Sequence, residues 1–299
     1  MLVEQTAINL AGNVLAAACG LINVIVFTRL FAPAEYGTYV LGIGFAGILC
    51  TFLSSWMRLP ILREQARADE TDIRGIIAPG VLASALLAPL GYMAARPAGL
   101  TGGEAIAAIA LAIALVLFET GQEILRARLR AFTVLKAIAL RALLLPALGT
   151  AFAMIQPSGI LLLASSALAY LFAAFAFTAP VWRGTKLTFD AARLLRYAKA
   201  GLPLTLSLSM LALSSVIDRF IIAHLVGPAA AGQYTANVDL VRQVLIIPAV
   251  SASAAFVPMA VKILANQGRA AVAAHLAECC EFLLALALPA CASTVACWK

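Results

Sequence analysis

Arg29-Leu30-Phe31-Ala32-Pro33-Ala34-Glu35-Tyr36-Gly37-Thr38-Tyr39 is matched 195 positions later by His224-Leu225-Val226-Gly227-Pro228-Ala229-Ala230-Ala231-Gly232-Gln233-Tyr234. Leu, Pro, Ala, Gly and Tyr recur in register, five matches within eleven positions. Each copy stands where one long apolar stretch ends and the next begins. Pro stops the first helix, Gly permits a tight turn, and Tyr anchors the next helix at a membrane interface. Convergent loop chemistry would supply these residues one at a time; five in register argue for duplication.

The surrounding composition says what solvent these helices meet. Of 299 residues 63% are hydrophobic and 12% charged, with a mean hydropathy of +0.99. A soluble domain carries roughly 45–50% apolar and about 25% charged residues. Such a chain cannot cover a water-facing surface, so lipid is its main solvent. The N-terminus does not read as a cleavable signal: Glu4 stands in the place of a basic segment, and the apolar stretch continues from Ile8 to Phe27. The six cysteines, Cys19, Cys50, Cys279, Cys280, Cys291 and Cys297, fall in apolar segments without metal-ligand or disulfide spacing, and they read as small packers. His224 and His275 sit at helix ends without metal-ligating neighbours, so neither a metal nor a cofactor is expected.

A membrane-spanning helix needs about 20 mostly apolar residues. Such runs cover Ile8–Phe31, Thr38–Met57, Gly75–Ala95, Ala105–Leu125, Ala137–Ile155, Ile160–Val181, Pro203–Val226, Tyr234–Phe256 and Leu276–Trp298. The expected fold is an all-α membrane protein of about nine spans. Most of the 21 Lys and Arg fall in the even connections: Arg58, Arg63, Arg67 and Arg74, then Arg126, Arg128, Arg130 and Lys136. Further on come Arg183, Lys186, Arg193, Arg196 and Lys199, then Lys262 and Arg269. The odd connections carry little beyond Arg96. This alternation predicts that the even connections and the N-terminus are cytoplasmic. It also reads the net charge of +7 as a topology signal, not a nucleic-acid footprint.

Six helices separate the two copies, and an even number preserves orientation. The halves then form parallel repeats about an axis along the membrane normal, with a substrate site between them. The expected division is a six-helix lobe over 1–182, a cytoplasmic amphipathic linker over 183–201, and a three-helix start of a second lobe over 202–299. In the linker Phe189, Leu194, Leu195 and Tyr197 interleave with Arg193, Arg196 and Lys199, as in a helix lying on a membrane surface. Two lobes of 195 residues would run to about 390, so the chain reads as a C-terminally truncated member of its kind.

Charges inside the spans are the candidate site. Each costs about 2.5–3.5 kcal/mol at a helix centre, against about 0.3–0.6 kcal/mol returned per large aliphatic residue. Asp218 and Arg219 in the seventh span and Asp239 and Arg242 in the eighth must therefore face protein, water or each other. At 1.5 Å per residue all four lie roughly 10–13 Å from the shared outer end. Two ion pairs fit that depth, Asp218–Arg242 or Arg219–Asp239, either as static packing or as a cavity wall. In the first half Asn9 and Asn13 lie one turn apart, and Asn23 is the repeat partner of Asp218. Glu119 and Glu123 share a helix face at a depth similar to Arg141, which suggests a structural Glu119–Arg141 pair. No nucleophile or external loop accompanies these carboxylates, so the protein does not read as an enzyme.

Asp218-Arg219-Phe220-Ile221-Ile222, with Leu225, Gly227-Pro228, Gly232 and Tyr234, resembles the seventh-to-eighth helix signature of O-antigen-type polysaccharide flippases. These belong to the multidrug/oligosaccharidyl-lipid/polysaccharide transporter superfamily. Asn9, Gly12, Arg29-Leu30, Pro33, Glu35-Tyr36-Gly37 and Tyr39 resemble the N-terminus of the same family. The resemblance implies a two-lobed bundle around a cationic cavity that moves undecaprenyl-diphosphate-linked glycan across the membrane by alternating access. It implies that Arg219, Arg242 and Arg141 attract the diphosphate and that Asp218 is a coupling or gating residue. A lipid-linked anionic glycan, membrane lipid and glycan-assembly proteins are then the partners. The alternatives are a drug/cation antiporter of the same superfamily and a non-transporting assembly subunit. A membrane glycan polymerase would need a long external loop that the sequence lacks.

Overall fold

A computed structural model describes residues 2–65, 74–128, 130–185 and 190–242, with scattered positions between 277 and 288. Among these the chain is helical, without a strand. The helices are α1 (Leu2–Leu30), α2 (Pro33–Gln65), α3 (Arg74–Leu87), α4 (Gly91–Ala95), α5 (Gly102–Ala127), α6 (Ala131–Ile155) and α7 (Gly159–Ala173). After them come α8 (Ala191–Ser214), α9 (Ile217–Leu225) and a helix over 228–242, here α10. The rest of the expected eighth span, most of the ninth, Lys262, Arg269, His275, Cys279, Cys291 and Cys297 lie outside the described residues.

Five helices are long and apolar enough to cross a membrane: Pro33–Arg58, Arg74–Ala95, Gly102–Ala127, Ala131–Ile155 and Gly159–Trp182. The bent pair Ala192–Ser214 and Ile217–Leu225 brings the number to six if it is taken as one span, and Val14–Leu30 is a shorter apolar helix. Beyond an apolar core, large apolar side chains also cover the outside. Met154, Phe175 and Leu86 are at least 80% exposed, while Ser55, Ser165, Ser166, Thr205 and Thr235 are buried. An apolar exterior around a polar-dotted interior suits hydrocarbon as solvent, and the protein is a multi-pass membrane protein.

Local chemistry sets the helix ends. Pro33 starts α2, where its missing N–H costs nothing, and Glu35 lies in the first turn against the helix dipole. Glu35 also accepts the backbone N–H of Gly159 at 2.6 Å, closing the start of α7 from outside. Glu104 reaches back to the N–H of Thr101 and opens α5. The sixth span loosens into a π turn over Ala174–Thr178 just before Pro180, whose ring obstructs the carbonyl four residues back.

The seventh span differs from the expected arrangement of a surface linker followed by one straight helix. Asp190 caps α8 by accepting the N–H of Arg193 at 3.0 Å, and that helix continues through Pro203 to Ser214. It then bends by 45° into α9. Pro203 reads from sequence as a helix start. Here it sits in the interior because Tyr197 is buried before it and Gly201 lies against the backbone of Trp56 on α2. Tertiary packing overrides the proline signal.

Helix α2 is the hub, packed on α5, α7 and α8, while α6 lies between α1 and α7. Where α2 begins, the two copied junctions meet. A Cβ on Gly37 would strike the carbonyl of Pro228, and a Cβ on Gly232 would strike the carbonyl of Pro33 and the backbone of Gly37. The contact is reciprocal at the repeat offset: Gly37 corresponds to Gly232, and Pro33 to Pro228. Two flanking cavities repeat the pattern. One, of about 350 Å³, is lined by Thr28, Pro33, Gln233 and Ala236. The other, of about 290 Å³, is lined by their offset partners Ala223, Pro228, Thr38 and Leu41.

This contact makes a prediction about stability. Gly37→Ala and Gly232→Ala each force the two helices apart and cost about 1–3 kcal/mol. Gly47→Ala, on the same helix α2 with nothing within 4 Å of its Cβ, gains helix propensity of up to about 1 kcal/mol instead. Thermal unfolding of the three variants in detergent reads the difference: the first two lower Tm and the third does not.

Candidate functional site

Two groups of charged residues lie inside the bundle. The outer one forms across α9 and α10. The break after Ser214 lets a new helix begin at Ile217, so Asp218 stands in a first turn, where the helix dipole favours a carboxylate. One oxygen of Asp218 accepts the backbone N–H of Arg219 at 2.9 Å, and the other accepts the Tyr234 hydroxyl at 2.7 Å. Arg219 is buried and donates to Asp239 at 2.8 Å. Of the two pairs allowed by depth, the structure contains Arg219–Asp239; Asp218 binds Tyr234 instead of Arg242. Arg242 is exposed on α10, one turn beyond Asp239. The Nε of Arg219 is buried and has no partner among the described residues.

The inner group lies at the ends of α2 and α5, where the arginine-rich connections begin. Arg58 of α2 contacts Glu119 of α5 at 2.5 Å, and Glu119 also lies 3.9 Å from the Cys50 thiol. One turn on, Arg126 bridges Glu123 and the Oε1 of Gln122, each at 3.3 Å. Arg141 of α6 donates to the Tyr170 hydroxyl at 2.7 Å and lies over that ring. This corrects the expected Glu119–Arg141 pair. Glu119 has Arg58 as its partner, because α2 packs directly on α5, and the aromatic face of Tyr170 holds Arg141. All of these residues except Cys50 line one cavity of about 260 Å³, with Ala16, Phe118 and Ile138 as its apolar wall.

Among the described residues no hydrogen bond or ion pair joins the two groups, so Arg141 and Arg219 belong to different sites. Asn23 is buried on the unbroken α1, and its Oδ1 has no partner among the described residues. The side chains of Asn9 and Asn13 lie outside the described ones. Sequence reading missed Arg58, counted there only as a topology charge, and also Gln122, Tyr170 and Tyr234 as polar partners. The spacing Glu119, Gln122, Glu123 and Arg126 does place all four on one face of a helix. The partners from other helices have no local signal.

The family model for polysaccharide biosynthesis proteins matches residues 2–264. The chain belongs to that family. No curated protein sequence matches it. Among solved structures it is similar to an inward-facing multidrug resistance MATE family transporter of the MOP superfamily. That likeness has 17% identity and a TM-score of 0.56, over 98% of this chain and 69% of the other. It is also similar to the MATE multidrug transporter DinF-BH, with 14% identity and a TM-score of 0.60, over 98% of this chain and 71% of the other. At these identities the likeness is one of fold.

The outer ion pair makes a prediction. Arg219→Gln leaves Asp239 without its cation and costs roughly 3–5 kcal/mol, whereas Arg219→Met with Asp239→Leu removes both charges and is close to neutral. Unfolding of the single and double variants in detergent separates the two. Equal losses would show that Arg219 and Asp239 do not depend on each other.

Proposed function

We propose that the protein is a flippase for a lipid-linked anionic glycan, an undecaprenyl-diphosphate-linked oligosaccharide or polysaccharide, in the bacterial inner membrane. Membership in the polysaccharide biosynthesis family, on a fold shared with transporters, is the observation that carries this reading. The charge of the inner cavity supports an anionic cargo: three arginines against two glutamates line it. An amphiphilic cation would call for an acidic excess, so the likeness in fold to multidrug transporters does not extend to their cargo.

In this reading the parallel lobes close at the copied junctions and open at the arginine-rich end, which faces the cytoplasm with the N-terminus. The diphosphate enters at that end, drawn by uncompensated guanidinium charge, and leaves on the far side once the junctions part. The chemistry is binding and release, with no covalent step.

The protein, expressed in a strain lacking its own glycan flippase, restores surface glycan. Arg141→Gln and Arg219→Gln reduce that restoration at least tenfold at equal membrane abundance. Growth protection against cationic drugs without any restored glycan would replace the reading with the antiporter.

A further inference from the structure

Between Glu123 and Asp190 the chain has no acidic residue, and Arg126, Arg128, Arg130 and Lys136 crowd the start of that stretch. Topology alone accounts for such charge. It does not account for a cavity. One of about 230 Å³ opens here, lined by Arg128, Arg130 and Thr133 from the α5–α6 connection and by Ala176, Phe177 and Pro180 of the sixth span. No acidic residue lines it, and it shares no lining residue with the cavity around Glu119. The cavity is a wedge between two helices. At Gly121 a Cβ would strike Thr178, so α5 and the sixth span touch there. One turn nearer their ends, where the sixth span passes from its π turn to Pro180, the cavity separates them. Arg130 is exposed, and neither its guanidinium nor the Thr133 hydroxyl has a hydrogen bond or ion pair among the described residues.

Its level in the membrane follows from the spans. Gly102–Ala127 ends beside it, Ala131–Ile155 begins there and Gly159–Trp182 ends there, so the cavity lies at the boundary between hydrocarbon and water. Toward the bilayer its wall continues as Phe175 and Phe172, 81% and 56% exposed and about one turn apart. A cationic mouth above an exposed aromatic strip matches the two ends of one amphiphile. We propose that this cavity seats the headgroup of an anionic phospholipid. Arg130 and Thr133 donate to its phosphodiester oxygens, Arg128 adds charge, and the acyl chains lie along Phe175 and Phe172. The occupant is a resident lipid of the bilayer and not the cargo: every lining residue falls between Leu125 and Val181, within the first six spans and outside both charged groups. Bound there, the lipid ties the α5–α6 connection to the end of the sixth span and offsets repulsion among neighbouring arginines. The site does not depend on the glycan reading.

The test uses the whole protein purified in detergent, with phosphatidylglycerol or phosphatidylcholine of identical chains added back. Native mass spectrometry counts the bound lipid, and Tm reads its effect on stability. Wild type retains phosphatidylglycerol in preference to phosphatidylcholine and gains Tm with it. In Arg130→Gln the apparent affinity for phosphatidylglycerol falls roughly tenfold or more. Ala176→Trp, at an exposed position, fills the cavity without changing any charge and has the same effect. Lys136→Gln removes an equal charge close by, but that ammonium is stacked on Phe132 outside the cavity, and the variant binds as wild type. Tm without added lipid shows that each variant is folded. Undiminished binding in Ala176→Trp, or equal losses in Arg130→Gln and Lys136→Gln, would mark a diffuse effect of surface charge and overturn the site. Competition by inorganic phosphate at equal ionic strength would assign a free anion and overturn the lipid, as would the absence of any preference for phosphatidylglycerol. No glycan enters these measurements, so failure of this site leaves the flippase reading to its own assay.

Discussion

The close approach of the two copied junctions is the constraint on which the rest depends. Pro33 and Gly37 are four residues apart, so the proline carbonyl and the bare glycine lie one turn apart on the same helix face. Pro228 and Gly232 present the same face on α10. When two such faces meet about a two-fold, each glycine falls on the other's proline carbonyl, the rule for an isologous interface. Any side chain at either glycine would hold the helices apart twice over. The offset of 195 is thus a spatial relation as well as a sequence one. It appears again in the paired cavities beside the contact, where Thr28 and Ala223, and Leu41 and Ala236, occupy corresponding places.

The two copies share a contact at their junctions and differ in how the helices beside them carry polarity. At the position of Asn23 the first half keeps α1 unbroken and buries a neutral amide. At the corresponding Asp218 the second half interrupts the helix. The interruption supplies what a carboxylate needs in an apolar bundle: a helix start with free N–H groups, a favourable dipole and a phenol one junction away. Arg219 then turns to Asp239 and becomes the buried member of an ion pair whose other end is partly open. Glu35 shows the reverse case. It ties the first junction to α7, while Ala230 at the same place in the second copy can make no such bond.

Much of this was legible in the sequence, for physical reasons that can be named. Apolar runs of bilayer length identified the second to the sixth spans, because lipid imposes that length on any helix that crosses it. Depth counting restricted the partners of Arg219 to those at its own level and included the correct one, Asp239. It failed for Glu119. Several cations lie at one depth, and helix neighbours, not depth, decide among them. The continuation of α8 through Pro203 was likewise invisible, since the stabilising contacts come from Trp56, far away in the chain. Tyr170 as the support for Arg141 is a case of the same kind: an aromatic on a helix without a charged residue gives no sign of which cation it will meet.

Helix α2 connects the two ends of this arrangement. It carries Gly37 at the junction and Arg58 at the inner cavity, 21 residues apart, which is about 32 Å of continuous helix. Beside it, α5 is fastened at both ends, by Glu104 to Thr38 at 3.3 Å and by Glu119 to Arg58. These contacts tie α5 to α2 at two levels along their shared length. On the other side of the junction the path is different: α10 leads through α9 to a 45° bend at Ser215–Val216 before α8 packs on α2. Opening the glycine contact while keeping α8 seated against Trp56 calls for a change at that bend or at the Val226–Gly227 turn between α9 and α10. Both places flank the helix that carries Asp218 and Arg219, so a separation of the junctions is transmitted through the helix bearing the outer charged group. In that sense the broken helix is part of the site, and the ion pair it presents is placed where motion between the halves would be felt first.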